Sequence, residues 1–232
     1  MNESVNAAIC EAFDKKIIDR TTLLVNMPHA KEAMELAKEK GFADRVGLHL
    51  NLTSGRPLTD EMAADPVMCN SIGEYTADFA RNMKTRFCLP KETAANVSRE
   101  LAAQFDEYAK LGGTLWHVDS HHHVHTDPSI WKILKKQLKD RPVTSVRLSR
   151  NMYRGGNLLM RIYKMILNAS IRKFGKKRRD LFGSMPDYES FTSSNPDIIK
   201  DNEIEIMVHP VYDKDGNLCD AYGDKMYRLA RP

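Results

Sequence analysis

The sequence has no pair of cysteines at CxxC spacing. Its four cysteines, Cys10, Cys69, Cys88 and Cys219, are scattered over 232 residues, which argues against a zinc knuckle or a disulfide framework. Reduced thiols in a cytoplasmic protein fit this usage, and the cytoplasm is the expected compartment. No apolar run approaches the roughly 20 residues of a membrane span. No secretory leader is expected either, because Met1 runs directly into polar Asn2-Glu3-Ser4. Charge of one sign is scarce: 35 basic against 31 acidic residues leave a formal net charge of +4, too little to imply nucleic acid. No internal repeat is visible. What remains is a chain with 42% hydrophobic residues, enough to bury a sizeable α/β core.

Histidine, by contrast, is concentrated. Five of the eight histidines fall within nine residues, His117-Val118-Asp119-Ser120-His121-His122-His123-Val124-His125. Imidazole is the commonest protein metal ligand and the usual acid or base near neutral pH. A purification tag or a nonspecific metal-binding tail is the bland alternative. This tract is internal, irregular and flanked by core-like residues, which favours a functional site. A divalent ion usually takes two or three imidazoles, so not all five can be direct ligands.

The first two-thirds of the chain alternate helix and strand patterns. Val5 to Lys16 has apolar residues at helical spacing after the N-cap candidate Ser4. Thr21-Thr22-Leu23-Leu24-Val25 reads as a strand, and Ala30 to Lys40 as a helix stopped by Gly41. Val46 to Leu52 alternates leucines with Gly47, His49 and Asn51. A helix from about Glu92 to Leu111 and the breaker pair Gly112-Gly113 precede the strand Thr114-Leu115-Trp116-His117-Val118-Asp119. A helix over Pro128 to Lys139 and strands at Val143 to Leu148 and Ile204 to Val208 follow. Such interleaving predicts parallel strands in βα units forming one domain over residues 1–232. A barrel is the first expectation and a doubly wound open sheet the second.

Two stretches are less regular. Residues 53–91 hold Pro57, Pro66, Gly73 and Pro90 and read as a long surface excursion, the kind of loop that often binds ligands. Residues 151–179 read as a basic helical insertion. Leu158, Leu159, Ile162, Tyr163, Ile166 and Leu167 make its apolar stripe, a candidate interface between copies of a homo-oligomer. Six positive charges within residues 172–179 then fit a solvated helix end better than a nucleic-acid or membrane contact, and neither partner is expected.

His49 lies on the strand face opposite the leucines. His209 ends the late strand Glu205-Ile206-Met207-Val208. Parallel strands around one axis would bring these imidazoles and the 117–125 block to one site. Two histidines and a carboxylate with open positions hold a divalent ion beside water and substrate. Such an ion polarises a carbonyl and acidifies its water, while a nearby imidazole protonates a leaving amine. That chemistry is amide hydrolysis.

The motifs resemble a known family. Ser4-Val5-Asn6-Ala7-Ala8-Ile9-Cys10-Glu11-Ala12, Thr21-Thr22-Leu23-Leu24-Val25-Asn26-Met27-Pro28, Val46-Gly47-Leu48-His49-Leu50-Asn51-Leu52-Thr53 with Gly55-Arg56-Pro57-Leu58, the His117 to His125 block and Met207-Val208-His209-Pro210 are similar to the YdjC-like carbohydrate deacetylases, which include chitooligosaccharide deacetylases. The similarity runs from near Ser4 to about Tyr212. It implies a barrel of about seven strands related to polysaccharide deacetylases. It also implies hydrolysis of the N-acetyl group of N-acetylglucosamine-containing oligosaccharides, with a divalent ion, Mg2+ in the family and Zn2+ as the alternative.

The resemblance places the metal ligands on His49 and His121 and an acid/base or substrate-binding role on His209. Asp119 is assigned to the catalytic group or to the support of a ligand. His117, His123, His125, Asn51 and Arg56 are expected to bind substrate or support the ligands. The family opens with a strand ending in an Asn-Ala-Asp-Asp-Phe-Gly-like motif, whose aspartates give a third ligand and the base. This chain starts about where that motif would end, and its tail after Arg228 is shorter than the family's. The expectation is therefore that the first strand and both aspartates are missing, through a fragment, a mis-started gene or a true variant. Metal binding would then be weak and catalysis impaired; the alternative is a non-catalytic metal- or sugar-binding relative.

Overall fold

A computed structural model describes residues 3–152, 157–175, 180–222 and 225–230. The sequence reads as one domain, whereas its contacts gather into two compact units. One is Arg20–Val143; the other combines Glu3–Asp19, which carries helix α1 (Glu3–Asp14), with Thr144–Pro232.

The first unit is an α/β layer. Its strands β1 (Thr21–Leu23), β2 (Val46–Leu50) and β3 (His117–Ser120) run parallel in that order. Helix α2 (Ala30–Glu39) returns the chain from β1 to β2, burying Ala30, Met34 and Ala37, and the chain turns at Gly41 with φ +73°. Leu48, Leu50 and Val118 are buried strand residues.

Residues 53–91 do not form a loose surface loop. They fold into the short helices α3 (Asp60–Ala63), α4 (Asp78–Arg81) and α5 (Met83–Phe87), and bury Met62, Met68, Phe79 and Leu89. Proline and glycine density suggested exposure, but apolar side chains without periodicity found partners in the unit's core. Helix α6 (Lys91–Lys110) follows and buries Val97, Leu101, Phe105 and Tyr108 along one stripe. Its fully buried Glu100 accepts bonds from the backbone N–H groups of Leu58 and Thr59 and from the Thr59 hydroxyl, at 2.8–3.1 Å, and so anchors the start of the excursion. Near the excursion's end, Arg86 donates to Asp127 at 2.6 and 2.8 Å. Asp127 immediately precedes α7 (Pro128–Gln137), whose proline occupies the first helical turn.

In the second unit, β4 (Ser145–Val146), α8 (Leu158–Ile171), β5 (Leu181–Ser184), α9 (Met185–Ser194), α10 (Ile198–Asp201) and β6 (Ile204–Met207) follow one another. Strands β5 and β6 pair in parallel. Then β7 (Pro210–Tyr212), β8 (Leu218–Tyr222) and β9 (Lys225–Arg228) form an antiparallel sheet. Ala8 and Ala12 of α1 pack with Leu218, Leu229, Ile17, Ile18, Val208 and Tyr212. Neither β5 nor the antiparallel sheet is among the elements the sequence pattern predicts. Of the basic insertion, α8 is described; the run at 176–179 lies outside the described residues. Among these, no helix is long and apolar enough to cross a membrane.

The α9 start is a capping box. Ser184 Oγ accepts the Asp187 N–H, while the Asp187 carboxylate accepts the Ser184 N–H and two bonds from Arg150. Burial alone would raise the Asp187 carboxyl, but Arg150 and the Ser184 N–H outweigh it and hold it below the usual range. A depressed carboxyl stabilises the fold above its unfolded pKa, and the contribution disappears as pH falls through the folded value. Asp187→Asn is expected to cost about 2–3 kcal/mol at pH 7. In urea titrations the gap from wild type should narrow as pH falls below the unfolded carboxyl's value of about 3.9. A gap unchanged from pH 7 to pH 3 would contradict this.

Candidate metal and active site

Register builds the centre of the site. Pairing Leu48 with Val118 sets His49 of β2 directly beside Asp119 of β3, and pairing Leu23 with Leu48 sets Thr22 beside Gly47. His49 Nδ1 lies 2.7 Å from Asp119 Oδ1. Thr22 Oγ1 donates to Asp119 Oδ2 at 3.3 Å and lies 3.1 Å from His49 Nδ1. Asp119 has no exposed surface, and as a carboxylate it only accepts. Those partners assign the proton to His49 Nδ1 and leave Nε2 as the nitrogen with a lone pair. Asp119 is thus wholly buried and placed to orient the His49 ring.

The strand β3 gives way at Ser120 to a tight turn over His121–Thr126. His122 and His123 both take left-handed backbone angles, φ 51° and 57°, unusual for consecutive non-glycine residues. His125 closes the turn: it is fully buried, its Nδ1 lies 2.6 Å from Ser120 Oγ, and its N–H donates to the same oxygen. The turn carries His121 to His49, with ring centres 5.7 Å apart in an edge-on arrangement, and stacks His122 at 4.0 Å from His121. His122 Nδ1 lies 3.0 Å from Thr53 Oγ1. Burial, then the neighbouring His49 and Arg81, push His122 below its ordinary pKa.

Several of the other expected residues are tied into the surrounding backbone. His117 is buried, and a Cβ at Gly47 would stand 2.7 Å from its carbonyl oxygen, so only glycine lets β2 and β3 approach this closely. Asn51, also buried, exchanges bonds with Gln104 through its backbone and bonds Thr53, Ser54 and Asn26 through its amide, which shapes the turn after β2. Arg56 donates to the Ile72 carbonyl within the excursion. His123 lies beside His122 in the turn. His209 belongs to the second unit, between β6 and β7. Its N–H donates to Asp220 Oδ1 at 2.6 Å, and its half-exposed ring has Nδ1 3.7 Å from the same oxygen. Thr22, Thr53, Ser120, His122 and Asp220 were not singled out from sequence. Register alone reveals Thr22, whereas Ser120 and His122 stand within the histidine block itself.

The two ring centres lie close to the separation that two imidazoles on one divalent ion would show. With metal–nitrogen bonds of ~2.1 Å, two imidazoles on one ion have ring centres roughly 4.5–5.5 Å apart. The observed 5.7 Å lies within a few tenths of an ångström of that range. Among the described residues, no set of three mutually close His, Cys, Asp or Glu donors includes either ring. Remaining positions on an ion would fall to water and substrate.

Comparison with known proteins agrees with the motif reading. The sequence matches the YdjC-like protein family over residues 1–229. It is 36% identical over 152 residues to a carbohydrate deacetylase of Geobacillus stearothermophilus, covering 64% of this chain and 57% of that protein. With a carbohydrate deacetylase of Halalkalibacterium halodurans the identity is 31% over 217 residues, 91% of this chain and 81% of the relative. The match thus spans little more than half of the first relative's length. A crystal structure from Enterococcus faecalis, of a protein named for cellobiose-phosphate cleavage, superposes with a TM-score of 0.66 at 21% identity, over 92% of this chain and 78% of that one. That likeness shows a shared α/β fold. The motifs, the family match and the relatives agree, and the chain belongs to the YdjC-like protein family.

Proposed function

We propose that this chain is a metal-dependent carbohydrate deacetylase that removes N-acetyl groups from N-acetylglucosamine-containing oligosaccharides. The observation that carries the reading is the ordered imidazole pair: His49, with Nδ1 committed to Asp119, beside His121. The relatives named carbohydrate deacetylase support the sugar substrate. The expected barrel of about seven strands belongs to this reading, since β1–β2–β3 and β5–β6 are parallel pairs of the kind such barrels use.

His49 and His121 would hold the ion, Mg2+ on the family resemblance or Zn2+ on the preference of imidazole. Once bound, that ion would polarise the acetamide carbonyl and acidify a water. Asp119 and Thr22 keep His49 in one tautomer and one orientation, so that Nε2 is available without ring rotation. His122, whose depressed pKa keeps it neutral at pH 7, adds no positive charge beside the ligands. His209 takes the acid/base role on the resemblance, with Asp220 within reach of its Nδ1.

The test is acetate release from short N-acetylglucosamine oligomers by the full chain, before and after chelation, with Mg2+ and Zn2+ restored in turn. Release that chelation abolishes and one ion restores is the expected result. Metal uptake without acetate release would replace this reading by a non-catalytic binder, and neither uptake nor release would remove it.

A further inference from the structure

Helix α8 turns the wrong face outward for a helix that ends in water. Its inward side buries Leu167, Asn168 and Ile171. Its outward side leaves Leu158, Leu159, Ile162, Met165 and Ile166 between 40% and 76% exposed. At 100° per residue, Leu158, Ile162, Met165 and Ile166 fall within one arc of about 100°, with Leu159 at its edge and Arg161 and Arg172 on the other flank. The helix cannot roll to hide this face. Asn168 accepts the Ser149 N–H at 2.8 Å and donates to the Ser149 carbonyl at 2.9 Å, which fixes its rotation. Isolated exposed leucines need no explanation, but a contiguous aliphatic patch marks an interaction site.

Charge says what covers it. Between residues 151 and 179 the sequence has nine lysines and arginines and no aspartate or glutamate. Arg161, Arg172 and Lys173 belong to the described part and are exposed, whereas Lys164 turns toward the buried side of the helix. We propose that the outward face of α8 docks on an anionic lipid surface, with its aliphatic side chains entering the acyl boundary and its cations meeting lipid phosphates. A helix of this composition lies in the interface plane rather than crossing it.

A second copy of the chain is the weaker occupant. A 14-residue helix is about 21 Å long and offers a few hundred Å2, short of the ~800 Å2 per partner that a stable dimer buries. Pairing α8 with itself would also set its cations against cations, with no acidic residue on the helix to meet them. A nucleic acid would leave the aliphatic arc without a use, because single strands bind by stacking on aromatic rings. The exposed stripe and the described cations Arg161, Arg172 and Lys173 therefore belong to one surface.

Sedimentation of the full chain with vesicles tests this. Phosphatidylcholine vesicles containing about a third phosphatidylglycerol should pellet the protein, and binding should weaken as salt rises from about 0.1 to 0.5 M. Ile162→Glu with Ile166→Glu should lower partitioning at least about tenfold, because both side chains leave the acyl boundary. Both positions are exposed, and an unchanged melting curve verifies the fold. Arg161→Gln with Lys173→Gln should weaken binding to the anionic vesicles and leave neutral ones unchanged. No vesicle binding, or equal binding by the Ile162/Ile166 variant, overturns the proposal. Lipid-free dimerisation that the same variant abolishes assigns the face to a second copy and overturns it too, as does binding to a polyribonucleotide without binding to vesicles.

Discussion

His121→Ala should abolish both divalent-ion binding and acetate release, while Asp119→Asn should lower each by about 10–100-fold. The difference between the two follows from what each side chain touches. Removing His121 leaves one imidazole, and one imidazole does not fix an ion against water. Asp119 touches no ion in this reading; it accepts from His49 Nδ1 at 2.7 Å and is wholly buried. An asparagine there can turn its N–H toward Nδ1, which moves the histidine proton to Nε2 and removes the lone pair an ion needs. The ring then ligates only after the amide rotates, so affinity falls without vanishing. Calorimetric titration with Mg2+ and Zn2+ and an acetate assay read both effects, with circular dichroism to verify folding. Wild-type ion affinity in Asp119→Asn would show that the pairing with His49 has no part in the site.

Gly113→Ala should destabilise the first unit by about 3 kcal/mol or more. The pair Gly112-Gly113 reads from sequence as a helix breaker, and Gly112, at φ +91°, fits that reading. Gly113 has a different task. A Cβ there would stand 2.2 to 2.5 Å from three atoms of the Tyr108 ring. That ring has nowhere to go: it is fully buried, stacks edge-on to Trp116, and its hydroxyl lies 2.9 Å from the Val46 carbonyl and 2.5 Å from the Leu115 carbonyl. The hydroxyl ties the start of β2 to the approach of β3, the two strands that bring His49 and Asp119 together. Urea denaturation should show the loss directly, and ion affinity should drop with it. A melting temperature unchanged within a degree or two would mean that Tyr108 is free to move. Tyr108→Phe separates the two effects, since it removes the hydroxyl bonds but keeps the ring.

Much of this site was legible because its residues sit where alternating patterns end. Leucine alternation set His49 on the opposite face of its strand, and the histidine block followed a strand announced by glycines. Thr22 was not legible, since its bond to Asp119 depends on a register shared by three strands. The left-handed turn at His122 and His123 was invisible for a local reason: neither residue is glycine or asparagine, the usual markers of positive φ. In the second unit, β5 is four residues long with a glycine inside, and every residue of β9 is exposed, so neither has the hydrophobic period that betrays a strand. The hairpin between β7 and β8 did leave a trace in Asp213-Lys214-Asp215-Gly216. Asp213 Oδ1 accepts the N–H groups of Asp215 and Asn217 there, and Gly216 takes φ +80°.

The consecutive histidines at 122 and 123 hold a backbone shape that glycine adopts at no steric cost. Strain of this kind costs on the order of 1–2 kcal/mol per residue, and the surrounding bonds must hold it in place. Selection for heat tolerance alone, blind to chemistry, would therefore collect glycines and asparagines at these two positions. The sites such a screen erased first would mark where the protein trades endurance for work.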